Sequence, residues 1–508
     1  MAHRADESQP VWAVGRPPPP PLPPLRGDVR ADVCVVGAGM AGLSVAYRLA
    51  RAGRRVVVVE AGSTAGLGET GRSTAHLTSA LDDGFVELEH LFGTDGARLA
   101  IDSHATAIDA IEAQIAEEGI ACDFRRLDGW LFNPPTGGMD LEAEAAAAAR
   151  AGLAPRLETR APLAGFQTGP AIRFPQQATM DPLAFAAGLA TAAQRRGAQM
   201  FGDAPVVSVE GGHPARVSTA QGWHVLADAV VVATNTPIND RLAVHGKLVP
   251  MRTYAVALAA AEQSGDADAL YWDTLDPYHY VRFGHAGGER VLICGGEDHR
   301  VGQPAEGSQR WERLEAWARH RFAGLGPLRA RWSGQIMEPA DRLAFIGRNP
   351  ADSDNVFVVA GDSGNGITHG AIAGMVLADL ILGRPNAWAR LYDPARVTLK
   401  AAASYADTSL QVAEHYAEWL TGGDVDAVAA IPPGGGAVVR RGLAKLAVYR
   451  DEAGQLHARS AACSHLKCIV TWNDAERSWD CPCHGSRYDR FGGVLNGPAV
   501  SPLADPDS

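Results

Sequence analysis

The chain lacks several features that would assign it to a simple class. No run of about 18 apolar residues occurs anywhere, so no membrane-spanning helix is expected. The opening Met-Ala-His-Arg-Ala-Asp-Glu has no basic segment leading into an apolar one, so no secretory leader is expected either. Positive charge is in deficit: 46 Lys and Arg stand against 58 Asp and Glu, for a net charge of -12. That leaves no surplus for the phosphate contacts on which nucleic-acid binding depends. Internal repeats are absent. A cytoplasmic protein with no membrane anchor and no nucleic-acid partner is expected.

Cysteine is sparse over most of the length. Of seven, Cys34, Cys122 and Cys294 are scattered, while Cys463, Cys468, Cys481 and Cys483 crowd the last tenth of the chain. In a cytoplasmic protein such a crowd reads as a metal site before a disulfide framework. What is present in quantity is ordinary globular composition, 46% apolar and 20% charged, spread over 508 residues. That length is too great for one core, so two or more domains are expected.

Residues 16–25 are mostly proline, which cannot supply strand or helix hydrogen bonds, and residues 1–27 read as an extended N-terminal arm. An apolar run from Val33 to Val36, a glycine turn, a helical stretch from Ala41 to Arg51 and a second apolar run from Val56 to Val59 then spell a βαβ unit. Mixed strand and helix signals continue to about Leu391, with an amphipathic helix at Asp181–Arg196 and a buried strand at Ala229–Ala233. Residues 401–424 are helical and end at Gly422-Gly423, which marks a linker. Beyond it, short strands between glycine turns indicate a small all-β module.

The glycine turn reads Gly37-Ala-Gly39-Met-Ala-Gly42, and Glu60 closes the next strand. Gly37 makes the tight turn, Gly39 lets the backbone approach a pyrophosphate, Gly42 allows close helix packing and Glu60 accepts from ribose hydroxyls. Only one such fingerprint occurs, whereas a two-dinucleotide fold would need a second. The segments Asp32–Ser44, Gly71–His76, Val230–Asn235 and Asn355–His369 together resemble the D-amino-acid-oxidase-like flavoenzymes, the group of glycine, sarcosine and γ-glutamylputrescine oxidases. The resemblance implies FAD as cofactor, with Arg72, Ser73 and Thr74 along the pyrophosphate and flavin and Val207 at the adenine. It also implies that Gly366, Ile367 and Thr368 open a helix whose NH groups face the flavin O2, where negative charge collects on reduction.

Near the C-terminus, Cys463-Ser-His465-Leu-Lys-Cys468 is followed by Cys481-Pro-Cys483-His484-Gly-Ser486. A [2Fe–2S] cluster bound by two thiolates and two imidazoles needs two loops that each carry a Cys and a nearby His, and Cys463, His465, Cys481 and His484 meet that need. A structural zinc site is the rival use of the same residue types. The string Cys-Pro-Cys-His-Gly-Ser closely resembles respiratory-type Rieske proteins. That resemblance implies a disulfide between Cys468 and Cys483, hydroxyl donors to the cluster sulfurs at Ser486 and Tyr488, and a covering proline loop at Gly497-Pro498-Ala499.

The expected architecture is therefore a Rossmann-type α/β FAD-binding domain over residues 28–400, with an inserted α+β substrate domain at about 106–174 and 251–331. A helical linker at 401–424 and a small all-β Rieske domain at 425–508 follow. The pair of cofactors implies an oxidoreductase that takes two electrons from a small-molecule substrate and passes them singly to an external acceptor. The flavoenzyme resemblance makes amine or amino-acid C–N oxidation the leading chemistry. Candidate pocket residues are His76, Arg252, Tyr254, Tyr278, Tyr280, Arg282 and His369, with Arg suited to a carboxylate and Tyr to an amine. A Rieske oxygenase would need a further iron domain. A non-enzymatic flavin and iron–sulfur redox sensor is the alternative function class.

Overall fold

The computed structural model describes residues 8–239, 244–261, 265–303, 307–350 and 352–506. At its centre lies a largely parallel sheet in which Val29–Val36 pairs with Val56–Val59 on one side and with His224–Val232 on the other. Val356–Ala360 and Gln199–Phe201 extend it in parallel, and Phe345–Arg348 closes one edge antiparallel. Residues 33–36 and strand Val56–Val59 are rich in valine because helices and loops cover both faces, so there every side chain is buried rather than every second one.

Helix Met40–Arg51 packs against Gly366–Ile381 and against Pro182–Arg195. The approach of the first two is close enough that a Cβ on Gly374 would stand 2.7 Å from the Ser44 Cβ, and one on Gly370 would stand 2.6 Å from the Met40 Cγ. The two glycines fall on one face because they are four residues apart.

A second sheet of nine strands runs through Leu328–Pro339, Leu248–Ala259, Glu289–Arg300, His279–Ala286, Leu270–Asp273, Arg125–Phe132, Ala171–Thr179 and His76–Leu77, with Arg156–Glu158 off this path. It thus draws on 125–179, 248–339 and 76–77, so its outline differs from the expected 106–174 and 251–331. Residues 106–118 instead complete a long helix, Phe85–Glu118, whose buried positions Ala97, Ala100, Ile101, His104, Ala107, Ile108 and Ile111 follow helical spacing and pack towards Gly366–Ile381. A break at Gly93, with φ of 71°, interrupts the helical run.

Helix Ala402–Ala417 leads into the C-terminal module. There a three-stranded antiparallel sheet (Gly436–Arg441, Ala444–Arg450, Leu456–Ser460) is followed by a four-stranded one (Thr471–Asn473, Ser478–Asp480, Arg487–Asp489, Val494–Asn496). No helix among the described residues is long and apolar enough to cross a membrane.

Gly374→Val should force the two central helices apart at a cost of about 1–3 kcal/mol, read as a lower unfolding temperature. Gly27→Ala, at a site where an added Cβ meets nothing within 4 Å, should shift it by less than about 0.5 kcal/mol.

Candidate cofactor sites and the surface between them

The glycine turn forms a cradle with no room for side chains. Gly37 has φ of 103°, and a Cβ there would sit 2.4 Å from the Ala233 carbonyl oxygen. A Cβ on Gly42 would sit 1.9 Å from the carbonyl oxygen of Gly37. Gly39 caps helix Met40–Arg51 without any side chain of its own, and the Thr70 hydroxyl accepts from the Met40 NH at 2.9 Å. Glu60, next to the end of Val56–Val59, accepts from the backbone NH groups of Ala38 (2.6 Å) and Gly62 (2.8 Å). Burial pushes its carboxyl up, and these NH donors pull it back towards the carboxylate. A helix N-terminus without a side-chain cap, bare backbone and a fixed acid suit a dinucleotide's pyrophosphate and ribose.

A second such helix start stands at Gly366–Ile381, whose N-cap Asn365 makes no side-chain cap. Beneath it, the Thr368 hydroxyl lies 3.0 Å from Nδ1 of His104, and Nε2 of His104 lies 3.2 Å from Nε2 of His369. His369 places Nδ1 2.9 Å from the carbonyl of Asp362. A carbonyl only accepts, so His369 carries its proton on Nδ1 and receives at Nε2 from His104. Burial holds His369 neutral, pushed down to about 4. His369, expected among reacting groups, thus lies buried beneath the helix start with His104 as its partner. Sequence reasoning missed His104 because its partners lie more than 260 residues away.

The remaining candidates separate into two groups. His76 meets the ring of Tyr280 edge-on at 5.3 Å and lies 3.2 Å from the Thr74 hydroxyl. Tyr280 bonds Thr253 at 3.0 Å, and Tyr278 beside it donates to Asp298 at 3.2 Å. Burial, aided by the Arg282 guanidinium, pushes His76 down to about 3. Burial raises Asp298 to about 6, and burial together with Asp83 raises Asp82 to about 7. Asp82 lies against Gly364, in the loop leading to Gly366. Neither aspartate stands in a motif, and no sequence signal marked them.

Arg252 and Tyr254 belong to the other group and correct the expectation that they face a substrate. Arg252 is fully buried, donates to the Ser333 hydroxyl and lies 3.4 Å from Glu476 of the C-terminal module. Tyr254 meets His299 at 3.1 Å and packs on Trp311. Arg282 donates to the carbonyls of Thr74 and Met180 and lies over Trp12. Arg72, expected along the pyrophosphate, bonds the Ser8 hydroxyl (2.9 Å) and the Ser333 carbonyl (2.7 Å), and lies 3.6 Å from Glu476. A buried carboxylate needs compensating charge, and that need draws both arginines to Glu476. Ser73 accepts from Ala75 through its hydroxyl. Val207 is exposed on strand Val206–Glu210.

In the C-terminal module, Cys468 and Cys483 form a disulfide across a Cα–Cα distance of 6.4 Å. Cys463 and Cys481 remain as thiols within hydrogen-bond reach of each other, which is the main cause lowering Cys463. The imidazoles of His465 and His484 stand 5.2 Å apart. The Tyr488 hydroxyl lies 3.1 Å from the Cys463 sulfur, and Ser486 accepts from the NH of Ala499 beside the Gly497-Pro498 loop while also bonding Cys463. Two thiols on one side, two imidazoles on the other and hydroxyls at the sulfurs fit a [2Fe–2S] cluster of mixed ligation.

This module is docked on the larger region through buried polar contacts. Burial pushes Glu476 up, but Arg72, Arg252 and Arg487, with the Ser333 hydroxyl, pull it down to about 2. Glu69 receives the Gln335 NH (2.7 Å) and the Asn496 side chain (2.9 Å), and Gln335 donates to the Gly485 carbonyl (2.6 Å).

Comparison with known proteins agrees with this division. Residues 32–380 match the family model of the FAD dependent oxidoreductases (DAO), and residues 422–507 match that of the Rieske [2Fe-2S] domain. The chain belongs to the FAD dependent oxidoreductase family and carries a C-terminal Rieske domain. It is similar over 96% of both lengths, at 28% identity, to the Rieske 2Fe-2S iron-sulfur protein YhfW of Bacillus subtilis. The gamma-glutamylputrescine oxidoreductase of Escherichia coli is 27% identical across 72% of this chain and 86% of its own. The crystal structure of glycine oxidase from Geobacillus kaustophilus shares the fold, with a TM-score of 0.61, 21% identity and coverage of 73% of this chain and 99% of its own. FAD and a Rieske [2Fe–2S] cluster are the cofactors.

Tyr488→Phe should lower the cluster potential in a redox titration, because a hydroxyl on a ligating sulfur stabilises the more negative reduced form. Glu476→Ala should leave buried guanidiniums uncompensated and destabilise the protein by about 3–5 kcal/mol, seen in thermal unfolding. Because the Glu476 carboxyl is lowered from 4.5 on folding, its contribution is complete above that value and should be lost as pH falls towards about 2.

Proposed function

We propose that the protein is a dehydrogenase of an amine or amino-acid C–N bond whose electrons leave singly, through the Rieske domain, to an external one-electron acceptor. The observation that carries this reading is the closeness of the two sites. Gly485, beside the cluster ligand His484, packs on Gln335 and Met337 of strand Leu328–Pro339. The Met337 NH lies 3.4 Å from Asp362, and its carbonyl 3.4 Å from the NH of Ser363, in the loop that opens helix Gly366–Ile381. One strand therefore separates the flavin-side loop from the cluster loop.

When bound, FAD accepts a hydride equivalent and the cluster accepts one electron at a time. A C–N substrate would lose a hydride from carbon and a proton from nitrogen, giving an imine, and two one-electron acceptors would take the electron pair. His76, Tyr278, Tyr280, Asp82 and Asp298 are the groups offered to the substrate. A carboxyl raised to about 6 or 7 is suited to taking a proton near neutral pH. Arg252 and Arg282 are engaged elsewhere, which favours an amine over a substrate anchored by its carboxylate. The similarity to a gamma-glutamylputrescine oxidoreductase supports the same choice.

An anaerobic screen of amines and amino acids should find a compound that bleaches the flavin absorbance and then the cluster's. With that compound, Cys481→Ser should still bleach its flavin but fail to reduce cytochrome c, a protein acceptor too large to reach the flavin. Normal cytochrome c reduction by Cys481→Ser would overturn the order of flow, and bleaching by a hydroxy acid alone would overturn the C–N assignment.

A further inference from the structure

The flavin domain places a third imidazole against the two that ligate the cluster. His245 lies edge-on to His465 at 5.0 Å between ring centroids and to His484 at 5.4 Å. It is 1% exposed and stands on a turn, His245–Lys247, that runs directly into strand Leu248–Ala259. Two features hold that turn. The Lys247 ammonium donates to the carbonyls of Pro394 (3.0 Å) and Arg396 (2.8 Å), and helix Ala402–Ala417 packs against the turn. Two residues further on, Pro250 of the same strand supports Gly485, where an added Cβ would stand 3.1 Å from the Pro250 Cβ. The turn that carries His245 is thus held in place, and its ring meets the imidazoles of both cluster loops.

We propose that His245 is a positioning residue for the cluster: it packs on both ligating imidazoles, holds their orientation and closes that edge to water and to small oxidants. The inference deepens the proposed electron flow by naming the flavin-domain residue that completes the cluster's surroundings. Its physical basis is the charge change at the cluster. Reduction adds one negative charge, and water admitted beside the imidazoles would stabilise that charge and raise the potential. A gap lined by imidazoles is polar enough to hold water, unlike a dry apolar cavity. A planar ring of similar size would keep water out without offering any protonatable group.

The test compares wild type, His245→Ala and His245→Phe in the full-length protein loaded with FAD and cluster, and uses neither substrate nor turnover. In dye-mediated titration followed by electron paramagnetic resonance, the alanine variant should show a raised cluster potential and altered g-values. Its dithionite-reduced cluster should be reoxidised by ferricyanide roughly tenfold faster or more, equal to about 1.4 kcal/mol of lost barrier. The phenylalanine variant should restore all three properties. Should the alanine protein fail to accumulate, His245→Asn leaves a comparable gap and carries the same expectations. A wild-type potential, spectrum and ferricyanide rate in the alanine or asparagine variant would overturn the proposal, as would failure of phenylalanine to restore them. Because no readout depends on the substrate, that failure would leave the C–N assignment standing, and the reverse also holds.

Discussion

The arrangement of the two halves depends on one buried carboxylate. Glu476 sits on a turn of the Rieske domain with almost no solvent, and Arg72, Arg252 and Arg487 surround it. Two of these guanidiniums come from the flavoenzyme portion and one from the Rieske domain itself. Transfer of an unpaired carboxylate into such a place would cost several kcal/mol, so the pairing is satisfied only when the Rieske domain is seated in this one position. Hydrophobic contact alone would tolerate sliding, whereas a buried ion cluster specifies register. The short distance from the loop at Asp362 and Ser363 to the loop of residues 481–486 follows from that seating.

The segment from Glu69 to Thr74 shows how closely the two sites are tied. Its side chains alternate in purpose along a few residues. Thr70 meets the first turn of the dinucleotide helix, while Glu69 and Arg72 reach towards Asn496 and Glu476 of the Rieske domain. Any shift in this segment on nucleotide binding is therefore felt at the domain surface, and the coupling is reciprocal.

What the amino-acid order reveals depends on how local each signal is. The glycine cradle with Glu60, and the two Cys/His loops, are legible because their members lie within a few residues of one another and because strand and helix patterns flank them. The fold class and both cofactors follow from those strings. The surroundings of Arg252, Tyr254 and Arg72 are not legible, for the opposite reason. Their partners are Glu476, His299 and Ser333, brought in from distant elements, and an arginine that serves a buried acid looks the same in sequence as one awaiting a carboxylate ligand. The long helix Phe85–Glu118 was hidden by Gly93, which breaks its periodicity near the start. His245 carries no motif at all; only the docking of the two domains brings it to the cluster loops.

The N-terminal arm has a bearing on how the chain is made. The Ser8 hydroxyl receives the NH of Ser333, and Trp12 is buried among Ala255, Val291, Ala330 and Trp332 while donating to the Ser73 carbonyl. Ser8 and Trp12 thus gain the last of these partners only after more than three hundred further residues have been synthesised. During that interval Trp12 lacks its cover from Ala330 and Trp332, whereas the proline-rich strip that follows it already has its partners at Ser63, Asp181 and Gly202.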